Sequence, residues 1–161
     1  MISPELLRRY PLFAGQSPYM LDEISMISNE IMVKEGDWLF QEGAEASKFY
    51  LLLEGEISLT MYLHVGGNPK YVSMMDPIGS GEIIGWSGLV KPHQYTLGAK
   101  AVKKSRLIEM EAGTLRQLLD DNPEFGYNLM KQIAEVIGER VMYKSIQQQS
   151  MVIDSKDKSV E

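Results

Sequence analysis

Apolar residues in the middle of the chain come in short runs, each closed by a turn signal. Trp38-Leu39-Phe40 lies between Gly36-Asp37 and Glu42-Gly43. Phe49-Tyr50-Leu51-Leu52-Leu53 ends at Glu54-Gly55-Glu56, and Asp76-Pro77-Ile78-Gly79-Ser80-Gly81-Glu82 breaks the chain again. Runs of this length, bounded by glycine or by charged residues with glycine, predict tightly turned antiparallel strands rather than helices. Glycines 36, 43, 55, 79 and 81 mark the corners. Ile57, Leu59, Met61 and Leu63 alternate with Ser58, Thr60 and Tyr62, the pattern of a half-buried strand. Gly66-Gly67-Asn68-Pro69 then predicts a hairpin loop leading into Tyr71-Val72-Ser73-Met74-Met75. From Ile31 to about Met110 the chain reads as mainly β structure.

Both ends read as helical. Ser3-Pro4-Glu5-Leu6-Leu7 and Ser17-Pro18-Tyr19-Met20-Leu21 each place a capping serine before proline at the first helical position, predicting two short helices. In the second, Met20, Leu21, Ile24 and Ile27 share a face that packs on the β structure. Thr114-Leu115-Arg116-Gln117 fits a capping box that opens a helix through Leu119. Asn122-Pro123-Glu124 restarts the chain as a long last helix, with Asn122 as its cap. Leu129, Ile133, Val136, Ile137 and Val141 form an apolar stripe along it, and Gly126 and Gly138 permit close backbone approach. Residues running past the end of the β structure need a cover. A parallel two-fold homodimer along this helix supplies one, the alternative being a helix that lies wholly on its own domain. The predicted division is one domain over residues 1–143, with N-terminal helices within 4–30, a barrel over 31–110 and C-terminal helices within 114–143. Residues 144–161 form a polar extension whose apolar handle is Met151-Val152-Ile153.

Composition narrows the function classes. A chain of 161 residues has room for one domain with a real core. Its net charge of -6 disfavours direct nucleic-acid binding, which relies on clustered cations. The densest basic group, Lys100, Lys103, Lys104 and Arg106, reads as a solvated strand edge. There are no cysteines, which excludes disulfides, thiolate zinc sites, Cys-ligated iron–sulfur clusters and cysteine nucleophiles. No window approaches 18 unbroken apolar residues and Met1–Tyr10 lacks an apolar leader core, so the expectation is a soluble cytoplasmic protein without membrane contact. His64 and His93 have no metal-ligand spacing and read as solvent-facing loop positions in preference to haem ligands. Glu42, Glu54 and Glu56 fall at turns instead of flanking a cleft, so no catalytic residue and no enzyme activity are predicted.

The order and spacing of the central motifs carry a resemblance. Gly36-Asp37-Trp38-Leu39-Phe40-Gln41-Glu42-Gly43, then Phe49 to Ile57, then Gly79-Ser80-Gly81-Glu82, together with Pro11-Leu12-Phe13 upstream, resemble the cyclic-nucleotide-binding domain of the catabolite activator and FNR superfamily. The match runs from Glu5 to about Arg140. It implies a jelly-roll β-barrel, a double-stranded β-helix, with short N-terminal helices, a long C-terminal helix and regulation by a small ligand. It also implies a cyclic phosphate held by backbone N–H groups at the start of a short helix, opened by a Gly-Glu pair whose glutamate takes the ribose hydroxyl. Gly81, Glu82, Ile83 and Ile84 match that part.

The phosphate clamp departs from the family pattern. Where relatives carry an arginine and then a small hydroxyl residue, this chain has Tyr95-Thr96, with Lys91 and Lys100 the nearest cations. Thr96 keeps the hydroxyl, but Tyr95 lacks a forked set of donors. Removing one partner of a buried charged pair costs about 2–5 kcal/mol, or about 30-fold to several-thousand-fold in affinity. Arg140 lies where the relatives' long helix reaches over the base, so it reads either as a second anion donor or as a surface arginine. The expectation is a non-catalytic ligand-sensing domain in which cyclic AMP or cyclic GMP binds weakly or gives way to another small anionic or aromatic ligand, with Trp86, Met74 and Tyr95 making the pocket more apolar. The alternative is a protein-interaction module with a vestigial pocket, acting as a signalling adaptor. No helix-turn-helix sequence is found after the long helix, and a separate output protein is the expected partner.

Overall fold

Strand β3 (Lys48–Glu54) is apolar on both faces because it is covered on both. Phe49, Leu51 and Leu53 point to the helices, while Tyr50 and Leu52 point into the barrel. A strand buried twice reads as an unbroken apolar run instead of an alternating one. In this computed structural model, which describes residues 1–157, β3 sits in a four-stranded antiparallel sheet ordered β1-β8-β3-β6, with β1 Ser28–Val33, β6 Ile83–Ile84 and β8 Ser105–Glu111. The facing sheet is ordered β2-β7-β4-β5, with β2 Trp38–Phe40, β4 Ile57–Val65, β5 Asn68–Ser73 and β7 Gly98–Ala101. Strands distant in sequence neighbour one another in both sheets, which is the expected jelly roll. The β4–β5 hairpin turns at Gly66 and Gly67 as predicted.

The helices pack on the outer face of the first sheet. The prediction of two N-terminal helices becomes three: α1 Pro4–Arg8, α2 Pro11–Ala14 and α3 Pro18–Met26. Each has proline in its first turn, and the Ser3 and Ser17 hydroxyls accept from Leu6 N and Met20 N at 3.2 Å. Helix α3 ends sooner than the sequence suggested, and the Ser28 hydroxyl at the start of β1 donates to Ile24 O. Helix α4 spans Ala112–Asp121. Its cap is Glu111, not the predicted Thr114–Gln117 box. The Glu111 carboxylate accepts from Gly113 N (3.0 Å), Thr114 N (2.5 Å) and the Thr114 hydroxyl (2.8 Å). Those donors hold its carboxyl below the usual glutamate range. Asn122 holds the cap position of the next helix, its carbonyl accepting from Gly126 N at 2.9 Å, while its side-chain amide donates back to Leu118 O at 2.9 Å and closes α4.

The last helix, α5, runs Pro123–Asp157, well past residue 143. Neither proline nor glycine occurs after Gly138, so nothing local stops it. The side chains of Met151, Val152 and Ile153 lie outside the described residues, as do residues 158–161 altogether. Phe13 and Phe125 meet at 6.4 Å where α2 and α5 cross the core.

Two surface expectations change. Ser58 and Thr60, predicted to face solvent, are buried. Ser58 shares a hydroxyl contact with Ser73 at 2.9 Å, and an aromatic layer of Trp38, Tyr71 and Tyr62, centroids 4.8 and 4.9 Å apart, crosses this outer face with Lys100 5.3 Å above Trp38. The basic group is not a strand edge. Strand β8 is central, and Arg106 pairs with Glu30 (3.2 Å) and Glu54 (2.8 Å) while Lys103 pairs with Glu56.

Gly55 joins β3 to β4 with φ +101, and a Cβ there would stand 2.7 Å from Ser105 Cα. Gly36 has φ +87 with open space around it. Gly55→Ala is expected to cost more than about 3 kcal/mol, against about 1–2 kcal/mol for Gly36→Ala, read from urea midpoints at unchanged slope. Equal costs would show that close approach to Ser105 does not constrain this turn.

Candidate functional site

A cavity of ≈ 220 Å³ opens between the barrel and α5. Its floor begins at Gly85, which leaves β6 with φ +82; a Cβ there would stand 2.8 Å from Lys48 O, so only glycine fits. The chain then makes one 3-10 turn, Trp86–Leu89, anchored by Arg116 Nη1 donating to Gly88 O at 2.5 Å. Trp86 and Ser87 face the cavity from this turn. The Tyr95 ring, also part of the lining, stacks on Phe40 with centroids 3.6 Å apart and planes 7° apart. Thr96 sits at the exposed rim, and α5 closes the space with Ile137, Arg140 and Val141.

Tyr95 is a strut as well as a wall. Its hydroxyl donates to Lys48 O (2.7 Å) and accepts from Lys48 N (3.0 Å). Its own backbone is pinned by Gly43 N donating to Tyr95 O and Tyr95 N donating to Ala44 O. Burial raises the Tyr95 pKa, and burial with Tyr95 and Glu109 alongside raises that of Tyr50. Glu109 is in turn paired with Lys48 Nζ at 3.1 Å.

Arg140 changes the expected electrostatics. The half-buried guanidinium lines the cavity and donates through Nη2 to Ile83 O at 3.1 Å. Burial lowers its pKa, while Glu82 and Glu139 favour its charged form. By sequence Arg140 reads as either an anion donor reaching the pocket from the helix or a surface residue, and Tyr95 leaves the strand position without a charge. The structure puts a guanidinium at the cavity, supplied by the helix and not by the strand.

Other predicted positions fall differently. Gly81-Glu82 does not open a helix; it turns the chain into β6, and the Glu82 carboxylate accepts from Gly79 N at 2.7 Å. Glu82 lines two neighbouring grooves that Arg140 also borders, and not the cavity. The pair that opens the short helical turn is Gly85-Trp86, so an indole stands where the resemblance implies a ribose-binding carboxylate. Ile83 and Ile84 are buried in β6, one packing on the helices and the other in the barrel. Met75, not Met74, reaches the cavity. His64 is exposed beside Tyr62, and His93 sits in a loop with φ 56. Among the described residues no cluster of His, Asp and Glu could hold a metal, and no helix is long and apolar enough to cross a membrane. Phe40, Leu59 and Leu97 were missed as lining. Alternation within Trp38-Leu39-Phe40 already put Phe40 and Trp38 on one side of the chain, but the bulge between them in the pairing with β7 is invisible in sequence.

Residues 30–122 match the model of the cyclic nucleotide-binding domain family. The chain belongs to that family. A solved structure from Geobacter metallireducens GS-15, assigned to the cyclic nucleotide-binding proteins, is 33% identical, covers 88% of this chain and 99% of its own, and superposes with a TM-score of 0.74. A cyclic nucleotide-binding domain from Methylobacillus flagellatus KT has the same fold at 17% identity and a TM-score of 0.71, over 89% of this chain and 78% of that one. Among curated proteins, a CRP-like cAMP-activated global transcriptional regulator of Mycobacterium tuberculosis is 21% identical over 81% of this chain. The chain spans 56% of that regulator's length.

Tyr95→Phe keeps the stack on Phe40 but strands Lys48 N and O. It is expected to cost about 1–3 kcal/mol at neutral pH. Because the folded-state pKa of Tyr95 is raised, its contribution is complete below the ordinary tyrosine value of 10.0 and fades as pH rises past it. The wild type should therefore lose stability at alkaline pH more steeply than Tyr95→Phe, in urea melts at pH 8 to 11; parallel curves would remove Tyr95 from that account.

Proposed function

We propose that this chain is a non-catalytic, small-ligand-sensing regulatory domain of the cyclic-nucleotide-binding fold, in which cyclic AMP and cyclic GMP bind weakly or are replaced by another ligand. The observation that carries this reading is that Ile137, Arg140 and Val141 of α5 form one wall of the cavity. An occupant must touch the helix, and only a guest that contacts two helix positions unequally can shift their populations. The strand position that resemblance assigns to a phosphate-binding arginine holds Tyr95, whose hydroxyl is spent on Lys48. The Mycobacterium regulator is named as cAMP-activated; here the polar groups that would serve that ligand are displaced or engaged elsewhere.

The same helix supports a homodimer. Leu129 and Ile133 are buried on the chain's own core and Val136 and Ile137 pack against it, so the predicted stripe is largely consumed. Beyond it, Val141, Met142 and Ile146 remain 59%, 66% and 59% exposed. A second copy along α5 would cover them, and a soluble cytoplasmic setting with a separate output protein fits this arrangement. A second reading, an adaptor with an idle pocket, is favoured by the aromatic layer on the outer sheet, where Tyr62 and Tyr71 are 45% and 49% exposed.

Thermal melting with millimolar cyclic AMP or cyclic GMP, on wild type and on Tyr95→Arg, tests the proposal. The wild type is expected to shift little and the variant clearly upward, since ligand at 100 times its dissociation constant adds about 2.7 kcal/mol. A large shift in the wild type overturns the weakened phosphate site. No shift in either protein favours the adaptor reading.

A further inference from the structure

We infer that the cavity is built for a small aromatic monocarboxylate whose carboxylate is held by Arg140 of α5. The inference rests on the ligand-sensing reading above and names the class of guest. Size comes first: ≈ 220 Å³ falls below the roughly 300–1,000 Å³ that encloses drug-sized ligands, which suits a molecule of one or two rings. The walls come next. Trp86 and the coplanar Phe40–Tyr95 pair all line the space, so a flat ring entering it meets aromatic surface, and Leu59, Leu97 and Ile137 complete an apolar lining.

The polar inventory selects the charge. Arg140 is the one charged side chain among the described residues lining this cavity, and its carboxylate neighbours, Glu82 and Glu139, line adjoining grooves and not the cavity itself. Its one hydrogen bond among the described residues is to Ile83 O, and a guanidinium carries five N–H donors, so a forked pair is available for a planar carboxylate. Ser87 and Thr96 are the remaining polar side chains beside the Tyr95 hydroxyl, which Lys48 occupies. The family resemblance implies a carboxylate for the ribose hydroxyl of a cyclic nucleotide, and its base needs partners for its edges. Glu82 is bonded to Gly79 N outside the cavity, Trp86 stands at the start of the helical turn, and Ile137 and Val141 offer only carbon. One cation, two hydroxyls and aromatic walls match a ring bearing a single carboxylate.

The test monitors Trp86 fluorescence in a Trp38→Phe background, with calorimetry on the wild type, using 3-phenylpropionate and 2-naphthoate against their amides and against cyclic AMP. The carboxylates are expected to perturb Trp86 and to bind at least about tenfold tighter than the amides, and Arg140→Met is expected to erase that difference while Arg140→Lys retains part of it. Ligand-free melting of each variant separates loss of fold from loss of grip, and Trp86→Leu in the calorimetric arm should weaken acids and amides alike. Equal binding of acid and amide, unchanged acid binding in Arg140→Met, or cyclic AMP binding tighter than either acid would overturn the inference. Failure of every acid, with Tyr95→Arg still gaining cyclic AMP binding, rejects the guest named here and leaves the ligand-sensing reading standing. Failure of both rejects the two together.

Discussion

The cavity depends on how closely three pieces of chain gather at the backbone of Lys48. The Gly85 turn passes so near Lys48 O that a methyl group would stand 2.8 Å away, and a methyl group on Gly88 would stand 2.8 Å from Ala46 O, two residues earlier in the same stretch. The Tyr95 hydroxyl bonds both polar atoms of that residue. Strand β3 supplies Lys48 and is the strand buried on both faces, so the site is mounted on the least mobile part of the domain. A tyrosine in this position spans from the β7 side to β3 and fixes the distance between floor and wall. It does so with an apolar ring, and the interior beside it is therefore aromatic.

Charge is arranged around that apolar centre instead of within it. Arg140 of α5 borders both the cavity and an adjoining groove that Glu82 and Glu139 line. A half-buried guanidinium carries a desolvation cost that its neighbours offset in part, and a guest anion would offset more. The family architecture delivers positive charge from the strand that Tyr95 occupies. Under the ligand-sensing proposal, a guest bonded to Arg140 would couple its affinity to the placement of α5.

The helix itself divides along its length. Its first half is spent on the core, with Phe125, Leu129 and Ile133 buried against α2 and the first sheet. Among the described residues beyond them, Met142 and Ile146 are exposed, and Val141 is exposed in part while it borders the cavity. The residues that touch the cavity, Ile137 to Val141, lie at the boundary between the two halves.

Local patterning determined the fold. Apolar runs of strand length, glycine at the corners, serine and proline at helix starts and the Gly66-Gly67 hairpin are decided by residues adjacent in the chain, through backbone sterics and capping, and they were legible as such. So were the family motifs and the substitution of Tyr95-Thr96 at the clamp. Tertiary structure decided what local rules cannot reach. Glu111 displaced the Thr114 box because a strand feeds straight into α4, and Ser58 and Thr60 were buried by an aromatic layer assembled from three strands. Gly81-Glu82 looked like the opening of the ligand turn, yet Gly85-Trp86 holds that place, since only the pairing of β6 with β3 tells where the strand ends. Arg140 reached the cavity because α5 lies across it. Sequence spacing governs neighbours a few residues apart, whereas a cavity is made by groups tens of residues apart whose meeting is set by packing.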